Sequence, residues 1–345
     1  MRRTLTFIPL IIVLALLATA APVAARSKIS IGVTDTNAVS HDPAVVMAAV
    51  NAHTKAVGTQ PRLWSVWSRW GDRGQHSSPS YPYVDCKVGV GTCAFPTAVV
   101  KALLARNITP VIWWLPMDPS DIFSTYHGRY KKILTKKHDA YIRQWAVAAR
   151  KVGRQTGKRV IVRFAHEATG FWFPWSVHRG TNSYDNYKKA WNYIGKKFKK
   201  LKARQHVLFM WANVWPMKKA FPGNRFVDFV GVTVLNFGSD RRWKTPKELL
   251  QNRAKSSRAI TRKPIVIAEM GTHYKGGSKG DWINTAYKYA YNKNPSIRGI
   301  MYLETDQPHI ARNQPDWRLA VGDGGAGMKA YRAIARQKKF KGHIR

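Results

Sequence analysis

The sequence predicts an α/β fold, a single (β/α)8 TIM barrel. Short runs of β-branched and aromatic residues recur along the chain, and segments of helical periodicity separate most of them. Several runs are apolar at consecutive positions, which is typical of parallel strands buried on both faces. Alternation of strands and helices within one domain favours a closed barrel over a doubly wound sheet. The eight predicted strands are 29–33, 63–68, 111–115, 160–167, 206–213, 229–236, 264–271 and 297–304.

Helical periodicity accounts for most of the intervening sequence. Apolar residues recur every three or four positions in 44–57 and 96–107, and again in 142–152 before the fourth strand. In 187–201 the apolar residues share one face and lysines take the others, which predicts a helix that packs inward and is basic outward. Residues 215–225, after the fifth strand, are too broken by Pro and Gly for a regular helix.

The amino terminus has the features of an export signal. Two arginines precede the apolar run 7–21, and small residues at 23–25 fit a signal-peptidase site. We therefore expect residues 1–25 to be a signal peptide and the protein to be secreted, either free or associated with the cell wall. An uncleaved anchor is the alternative, but the run is shorter than the ~20 residues that a spanning helix needs. Residues 26–345 are expected to form one monomeric domain with a short basic carboxyl-terminal tail.

The only two cysteines, Cys86 and Cys93, lie seven residues apart in a Gly-rich segment. In an oxidising compartment this spacing favours a local disulfide, and two isolated thiols cannot build a zinc site. We expect the pair to stabilise a loop and to have no chemical role.

The chain is strongly basic, with 58 Lys and Arg against 18 Asp and Glu and a formal net charge of +40. Such a charge produces a positive potential and implies anionic partners. No nucleic-acid-binding signature is present, so nucleic acid is not expected, and an anionic wall polymer or acidic polysaccharide is favoured. The other interpretation is that basic side chains simply cover solvated surfaces.

Glutamates are scarce, and their positions point to chemistry. Of the four in the chain, Glu248 follows Thr245 by three residues, which is a helix-capping pattern. Glu167, Glu269 and Glu304 each fall at the carboxyl end of a predicted strand, the face that carries catalysis in this barrel. Two carboxyl groups on one such face are what glycoside cleavage requires, one protonated and one ionised.

A dense aromatic loop follows Glu167. Aromatic faces stack on the C–H faces of sugar rings while polar groups bind hydroxyls, so the composition is typical of a sugar site. Barrel-rim packing is the alternative for these rings. The tryptophans predicted to stack on sugars are Trp172 and Trp175 in this loop, and Trp114 and Trp215 near the predicted barrel mouth.

The segment His166-Glu167-Ala168-Thr169-Gly170-Phe171-Trp172-Phe173-Pro174-Trp175 resembles the His-Glu-Met-Asn-Gly-x-Trp-(Tyr/Phe)-Pro-Trp signature of glycoside hydrolase family 26, a family of retaining β-mannanases and β-glucanases. Segments 221–231, 267–271 and 316–318 are similar to later blocks of that family and occur in the same order. The resemblance implies that Glu167 is the acid/base and Glu269 the nucleophile. It also implies that His166 contacts the sugar.

Arg163, four residues before Glu167, is expected to neighbour the nucleophile and keep it ionised. As alternatives, His166 could be a core histidine, and Arg163 could pair with another barrel carboxylate. Glu304 and Asp306 on the eighth strand could line a distal subsite, although pairing with an arginine is favoured.

Two departures from the family pattern matter. Thr169 occupies the position of the usual asparagine, and Leu235 the position of a tyrosine that hydrogen-bonds the nucleophile. Either another donor such as Tyr302 substitutes, or the nucleophile is tuned differently, or activity has been lost.

Three hypotheses therefore follow from the sequence. The first is a retaining endo-β-glycanase of the β-mannanase type that needs no metal or organic cofactor. The second is a non-catalytic barrel that binds glycans, and the third is an electrostatic wall- or nucleic-acid-binding protein. A hydrolase that acts on an anionic cell-wall or extracellular glycan is an alternative within the first.

Overall fold

The computed structural model describes most of the chain outside the amino-terminal segment. The predictions for residues 1–25, for the Cys86–Cys93 disulfide and for Asp306 lie outside the described residues. No described helix is long and apolar enough to cross a bilayer. The described residues are 26–35, 40–70, 94–116, 129–238, 242–305 and 316–344.

Eight parallel strands close into a barrel, so the predicted fold is confirmed. Each strand pairs with the next along the chain, and β8 pairs with β1 to complete the cylinder. Parallel strands bring all their carboxyl ends to one end of the barrel, which we call the mouth, and all their amino ends to the other, which we call the floor. The strands are β1 Ser30–Asp35, β2 Leu63–Arg69, β3 Thr109–Leu115, β4 Val160–Phe164, β5 Val207–Asn213, β6 Phe229–Asn236, β7 Ile265–Thr272 and β8 Ile297–Glu304.

Helices surround the strands, and α5 buries the apolar face that its periodicity predicts. Ser183 caps the amino terminus of α5, and Thr245 accepts a hydrogen bond from the backbone N–H of Glu248 at the start of α6, as predicted. After β5 the chain forms only the short 3-10 turns Lys218–Ala220 and Asn224–Phe226. The helices are α1 Pro43–Val57, α2 Thr97–Ala105, α3 Arg129–Leu134, α4 Asp139–Thr156, α5 Tyr184–Lys200, α6 Pro246–Arg258, α7 Lys279–Lys293 and α8 Ala326–Ala335.

The core has two layers, because successive strand side chains alternate between the inside and the outside of the barrel. A small inner cluster includes Leu63, Val111 and Ile161, while a larger outer cluster lies between the strands and the helices. Gly32 of β1 allows close approach at the inner wall, since a Cβ there would lie 2.0 Å from the carbonyl oxygen of Leu63.

The carboxyl-terminal residues 338–344 pack against the floor of the barrel. The backbone N–H of Ile29 donates to Lys339 at 2.9 Å, and that of Gly342 donates to Ile29 at 3.0 Å. Phe340 is buried against Tyr287, with ring centroids 5.6 Å apart. The buried ring of Phe340 and these backbone hydrogen bonds hold the segment against the floor.

Replacing Phe340 with alanine tests whether this segment stabilises the barrel. Loss of a buried ring leaves a cavity, so we expect Phe340→Ala to lower the free energy of unfolding by about 3 kcal/mol in denaturant titrations. Val45→Ala, at a position that is 48% exposed on α1, is the control and should change it by less than about 0.5 kcal/mol. Equal effects of the two changes would contradict a packed floor.

Candidate active site

The turn after β4 brings Glu167 to the mouth. The sequence predicted a strand to residue 167, but β4 ends at Phe164, because Ala165 and Glu167 have φ values of 44° and 52°. Residues with side chains rarely adopt this left-handed conformation, and such strain concentrates at functional sites. A 2.8 Å hydrogen bond from the backbone N–H of Glu167 to the carbonyl of Ala212 fixes the turn against β5.

Glu167 is buried and accepts two side-chain hydrogen bonds. Thr233 Oγ1 donates to Oε1 at 3.1 Å, and Trp172 Nε1 donates to Oε2 at 2.9 Å. Burial, together with the nearby negative charge of Glu269, raises the pKa of Glu167 to about 7. A substantial fraction of Glu167 therefore carries a proton at neutral pH, as a general acid must.

Glu269 on β7 has a different partner. Its Oε1 lies 2.6 Å from Nη2 of Arg163, which is 1% exposed, so the contact expected between these residues is present. The guanidinium carbon of Arg163 lies 4.2 Å from the ring centroid of Trp113. A buried cation is therefore in direct contact with the carboxyl group of Glu269.

The two glutamates lie at the same mouth. Thr233 of β6 hydrogen-bonds to Glu167 and is also the cross-strand neighbour of Glu269. The fold thus brings together Glu167, which has a raised pKa, and Glu269, which is ion-paired. The sequence predicted that these two residues meet at the mouth.

His166 lies in an aromatic cage and is 1% exposed. Its ring centroid is 4.6 Å from those of Trp113 and Phe173 and 5.4 Å from that of Trp175. Burial and the charge of Arg163 hold its pKa well below the usual range, so the imidazole is neutral. Its Nδ1 has no hydrogen-bond partner among the described residues.

Two of the four predicted tryptophans present an exposed ring. Trp172, which is hydrogen-bonded to Glu167, is 50% exposed, and Trp215, which follows β5, is 56% exposed. Both side chains are therefore accessible, and that they stack on a sugar ring stays a prediction.

The prediction for Trp114 is wrong. This residue is completely buried in the outer layer, where it stacks on Trp145 at 4.4 Å and donates from Nε1 to the hydroxyl of Tyr141 at 3.1 Å. The physical reason is strand alternation, which directs Trp113 towards Arg163 and the site and Trp114 to the helices.

Trp175 also lacks an accessible face, so the prediction that it stacks on a sugar is wrong. It is 1% exposed, stacks on Phe173 at 4.4 Å and donates from Nε1 to the backbone carbonyl of His166 at 2.7 Å. Trp175 therefore supports the turn that carries His166 and Glu167.

Sequence reasoning missed Thr233 and Trp113. Thr233 carries the one side-chain hydroxyl of a mostly apolar strand, and this feature of the sequence could have identified it as a candidate site residue. The strand register shifts at Val232/Thr233, and Arg253 of α6 donates from Nε to the carbonyl of Thr233 at 2.8 Å. The guanidinium carbon of Arg253 lies 4.9 Å from the ring centroid of Trp215. A bulge that re-aims a side chain next to a functional site is a recurring device in sheets.

The departures from the family pattern have structural outcomes. Leu235 lies opposite Gly271, and Tyr302 is completely buried in the outer layer with no hydrogen bond to Glu269. Tyr302 therefore does not replace the missing tyrosine, and Arg163 is the donor that Glu269 has. Thr169 donates to Oδ1 of Asn213 at 3.2 Å.

Glu304 lies at the end of β8, where it accepts the backbone N–H of Leu319 at 3.2 Å. Burial raises the pKa of Glu304 to about 7. The ion pair with an arginine that the sequence favoured is formed instead by Asp316 with Arg318, at 2.6 Å.

Comparisons with known proteins find similar sequences and folds. The family model described as glycosyl hydrolase family 26 matches residues 123–276. Endoglucanase H of Acetivibrio thermocellus is 27% identical over 213 residues, which are 57% of this chain and 22% of that protein, so the chain spans about a fifth of that relative's length.

Solved structures share the fold. A Bacillus subtilis mannanase superposes with a TM-score of 0.58 at 18% identity, covering 88% of this chain and 85% of that one. A β-mannanase from Bacteroides ovatus superposes with a TM-score of 0.57 at 14% identity, covering 91% and 90% of the two chains.

A (β/α)8 barrel with two glutamates at its mouth, one with a raised pKa and one ion-paired to an arginine, is the arrangement that barrel glycoside hydrolases use. The family whose model this chain matches, over residues 123–276, is glycosyl hydrolase family 26.

The raised pKa of Glu167 predicts the pH dependence of activity. Because the acid must be protonated, the rate should fall as the pH rises through about 7. The hydrogen bond from Thr233 stabilises the ionised form, so Thr233→Val should move this alkaline limb upward by about half to one pH unit. Thr233→Ser keeps the hydroxyl donor, so its alkaline limb should lie at nearly the same pH as that of the wild type. The measurement is kcat/KM against pH, and an unmoved limb in Thr233→Val would contradict the assignment.

Proposed function

We propose that this protein is a secreted, retaining endo-β-glycanase that hydrolyses β-linked polysaccharides of the β-mannan type. The observation that carries the proposal is the pair of glutamates at one mouth, Glu167 with its raised pKa and Glu269 in an ion pair with Arg163. A retaining mechanism needs this division between one protonated and one ionised carboxyl group, held ~5–5.5 Å apart across the scissile bond.

The proposed reaction has two steps. Glu269 attacks the anomeric carbon, and Glu167 gives its proton to the leaving glycosidic oxygen, which forms a glycosyl ester on Glu269. Glu167, now ionised, takes a proton from water as the water attacks the same carbon. This releases the sugar with its configuration retained and restores both carboxyl groups.

The proton transfer in each direction suits the surroundings of Glu167. When Glu269 becomes an ester, its negative charge disappears and one cause of the raised pKa of Glu167 is removed. Glu167 then ionises more readily, as a general base in the second step must. The donors Thr233 and Trp172 stabilise that ionised form.

The remaining residues of the site have binding and positioning roles in this proposal. Neutral His166 is 1% exposed in its aromatic cage, so in this proposal it supports the turn that carries Glu167. Trp172 and Trp215 offer stacking faces, since each ring is about half exposed. Arg163 positions Glu269 and balances its charge.

The substrate proposal draws on the names of similar proteins. Mannanases are prominent among the structural neighbours, whereas the relative with 27% identity is an endoglucanase. A β-glucan backbone is therefore the second candidate. Secretion is supported by the signal-like segment 1–25.

The nucleophile is tested by Glu269→Gln, which keeps the shape of the side chain and removes its charge. We expect release of reducing ends from β-mannan and β-glucan to fall by roughly 10⁴-fold or more, with the midpoint of thermal unfolding changed by only a few degrees. Glu248→Gln in the first turn of α6 is the matched control and should retain activity. Full turnover by Glu269→Gln would defeat the assignment, and binding without any product in the wild type would support a non-catalytic barrel.

A further inference from the structure

The charges of the barrel are unevenly divided between its two ends. Among the described acidic residues, the glutamates and Asp35 lie at strand carboxyl ends or in helix first turns, on the mouth side. Asp139, Asp185 and Asp281 lie in helix first turns on the same side. The segments that enter the strands at the floor carry a single described acid, Asp228.

The same floor segments are rich in cations. We define the floor face as the basic residues of the segments that precede β1 to β5 and β7, together with those that follow α8. None of these side chains is buried. They are Arg26, Lys28, Arg62, Arg106, Lys158, Arg159, Lys202, Arg204, Arg262, Lys263, Arg336, Lys338, Lys339 and Lys341.

Hydrogen bonds join neighbouring floor segments into one surface. Arg106 donates from Nε to the side-chain oxygen of Gln60 at 3.1 Å, and Lys158 donates from Nζ to that of Asn107 at 2.7 Å. The backbone N–H of Ile29 bonds to Lys339 at 2.9 Å. The cations therefore lie on adjoining loops of a single face.

The positive charge of this face is not neutralised within the described part of the chain. Arg204 forms a 2.7 Å ion pair with Asp228, while Arg106 and Lys158 bond to uncharged oxygens. Helix carboxyl termini also face the floor, but each contributes only about half a negative charge. That is far less than the cations present, so a strong positive potential remains.

We propose that the floor face binds an extended anionic glycan polymer and holds the barrel on it with the mouth directed away. A repeating anion can contact several loops at once, and each contact adds affinity that salt weakens. Because the floor is opposite the mouth, a polymer bound there leaves the catalytic glutamates accessible. The inference uses none of the catalytic roles proposed above.

The test compares two variants of the mature protein with equal net charge. The floor variant changes six exposed cations of the floor face to glutamine, and the control variant changes six exposed cations on the flanks of α4, α5 and α6. Location then differs while total charge does not. The floor set is Lys28, Arg159, Lys202, Arg262, Arg336 and Lys338, and the control set is Arg143, Lys151, Lys189, Lys196, Lys247 and Lys255.

Affinity is measured for polygalacturonate, heparin and poly(glycerol phosphate) at several salt concentrations, so the three arms separate carboxylate, sulfate and phosphate as the anion. We expect the floor variant to bind its preferred polymer at least about tenfold more weakly, with a shallower salt dependence, and the control variant to change by less than about threefold. Both variants should release reducing ends from a soluble neutral glycan at the wild-type rate.

Equal losses in the two variants would overturn the proposal, because total charge would then suffice. Tighter binding of duplex DNA than of every anionic glycan would overturn the class of partner. If the wild-type protein binds the polymers but cleaves no glycan, the proposed function is wrong, while the proposal that the floor face binds an anionic glycan remains supported.

Discussion

The site depends on one buried cation shared between two acids. Arg163 is 1% exposed and bonds directly to Glu269, while its charge also acts on Glu167. A single positive charge cannot offset two carboxylates removed from water, so one of them retains a proton near neutral pH. The ion pair decides which one: Glu269 has the direct contact, and Glu167 has only neutral donors. Removing Arg163 would leave both acids buried without a counter-charge, which is the costly case for buried ion pairs.

Backbone distortions around the mouth direct these side chains. Glu167 lies in a left-handed turn that is hydrogen-bonded to Ala212 of β5. Thr233 follows a register shift in β6, and Arg253 donates a hydrogen bond to the backbone carbonyl of Thr233. Burial lowers the pKa of Arg253 to about 10. Hydrogen bonds therefore connect α6 to Glu167 through Arg253 and Thr233.

The sequence predicted the strands well because their apolar runs and separating helices are strong periodic signals. It predicted that Arg163 neighbours Glu269, because Arg163 lies four residues before Glu167 on the strand that leads to the barrel mouth. It misassigned Trp114 and Trp175, because a tryptophan beside the mouth can point into the outer layer as easily as into the site. It could not find the positive φ of Glu167 or the bulge before Thr233, since both depend on hydrogen bonds with distant segments. The attachment of Phe340 to the floor was missed for the same reason.

The most direct test of this account identifies the residue that becomes covalently attached to the sugar. The protein is incubated with an activated 2-deoxy-2-fluoro-β-glycoside, which slows hydrolysis of a glycosyl-enzyme, and peptic fragments are examined by mass spectrometry. A retaining mechanism with Glu269 as the nucleophile predicts a single label on Glu269, in the fragment that contains the end of β7. A label on Glu167 or Glu304, or hydrolysis of a natural glycan with inverted configuration, would contradict it.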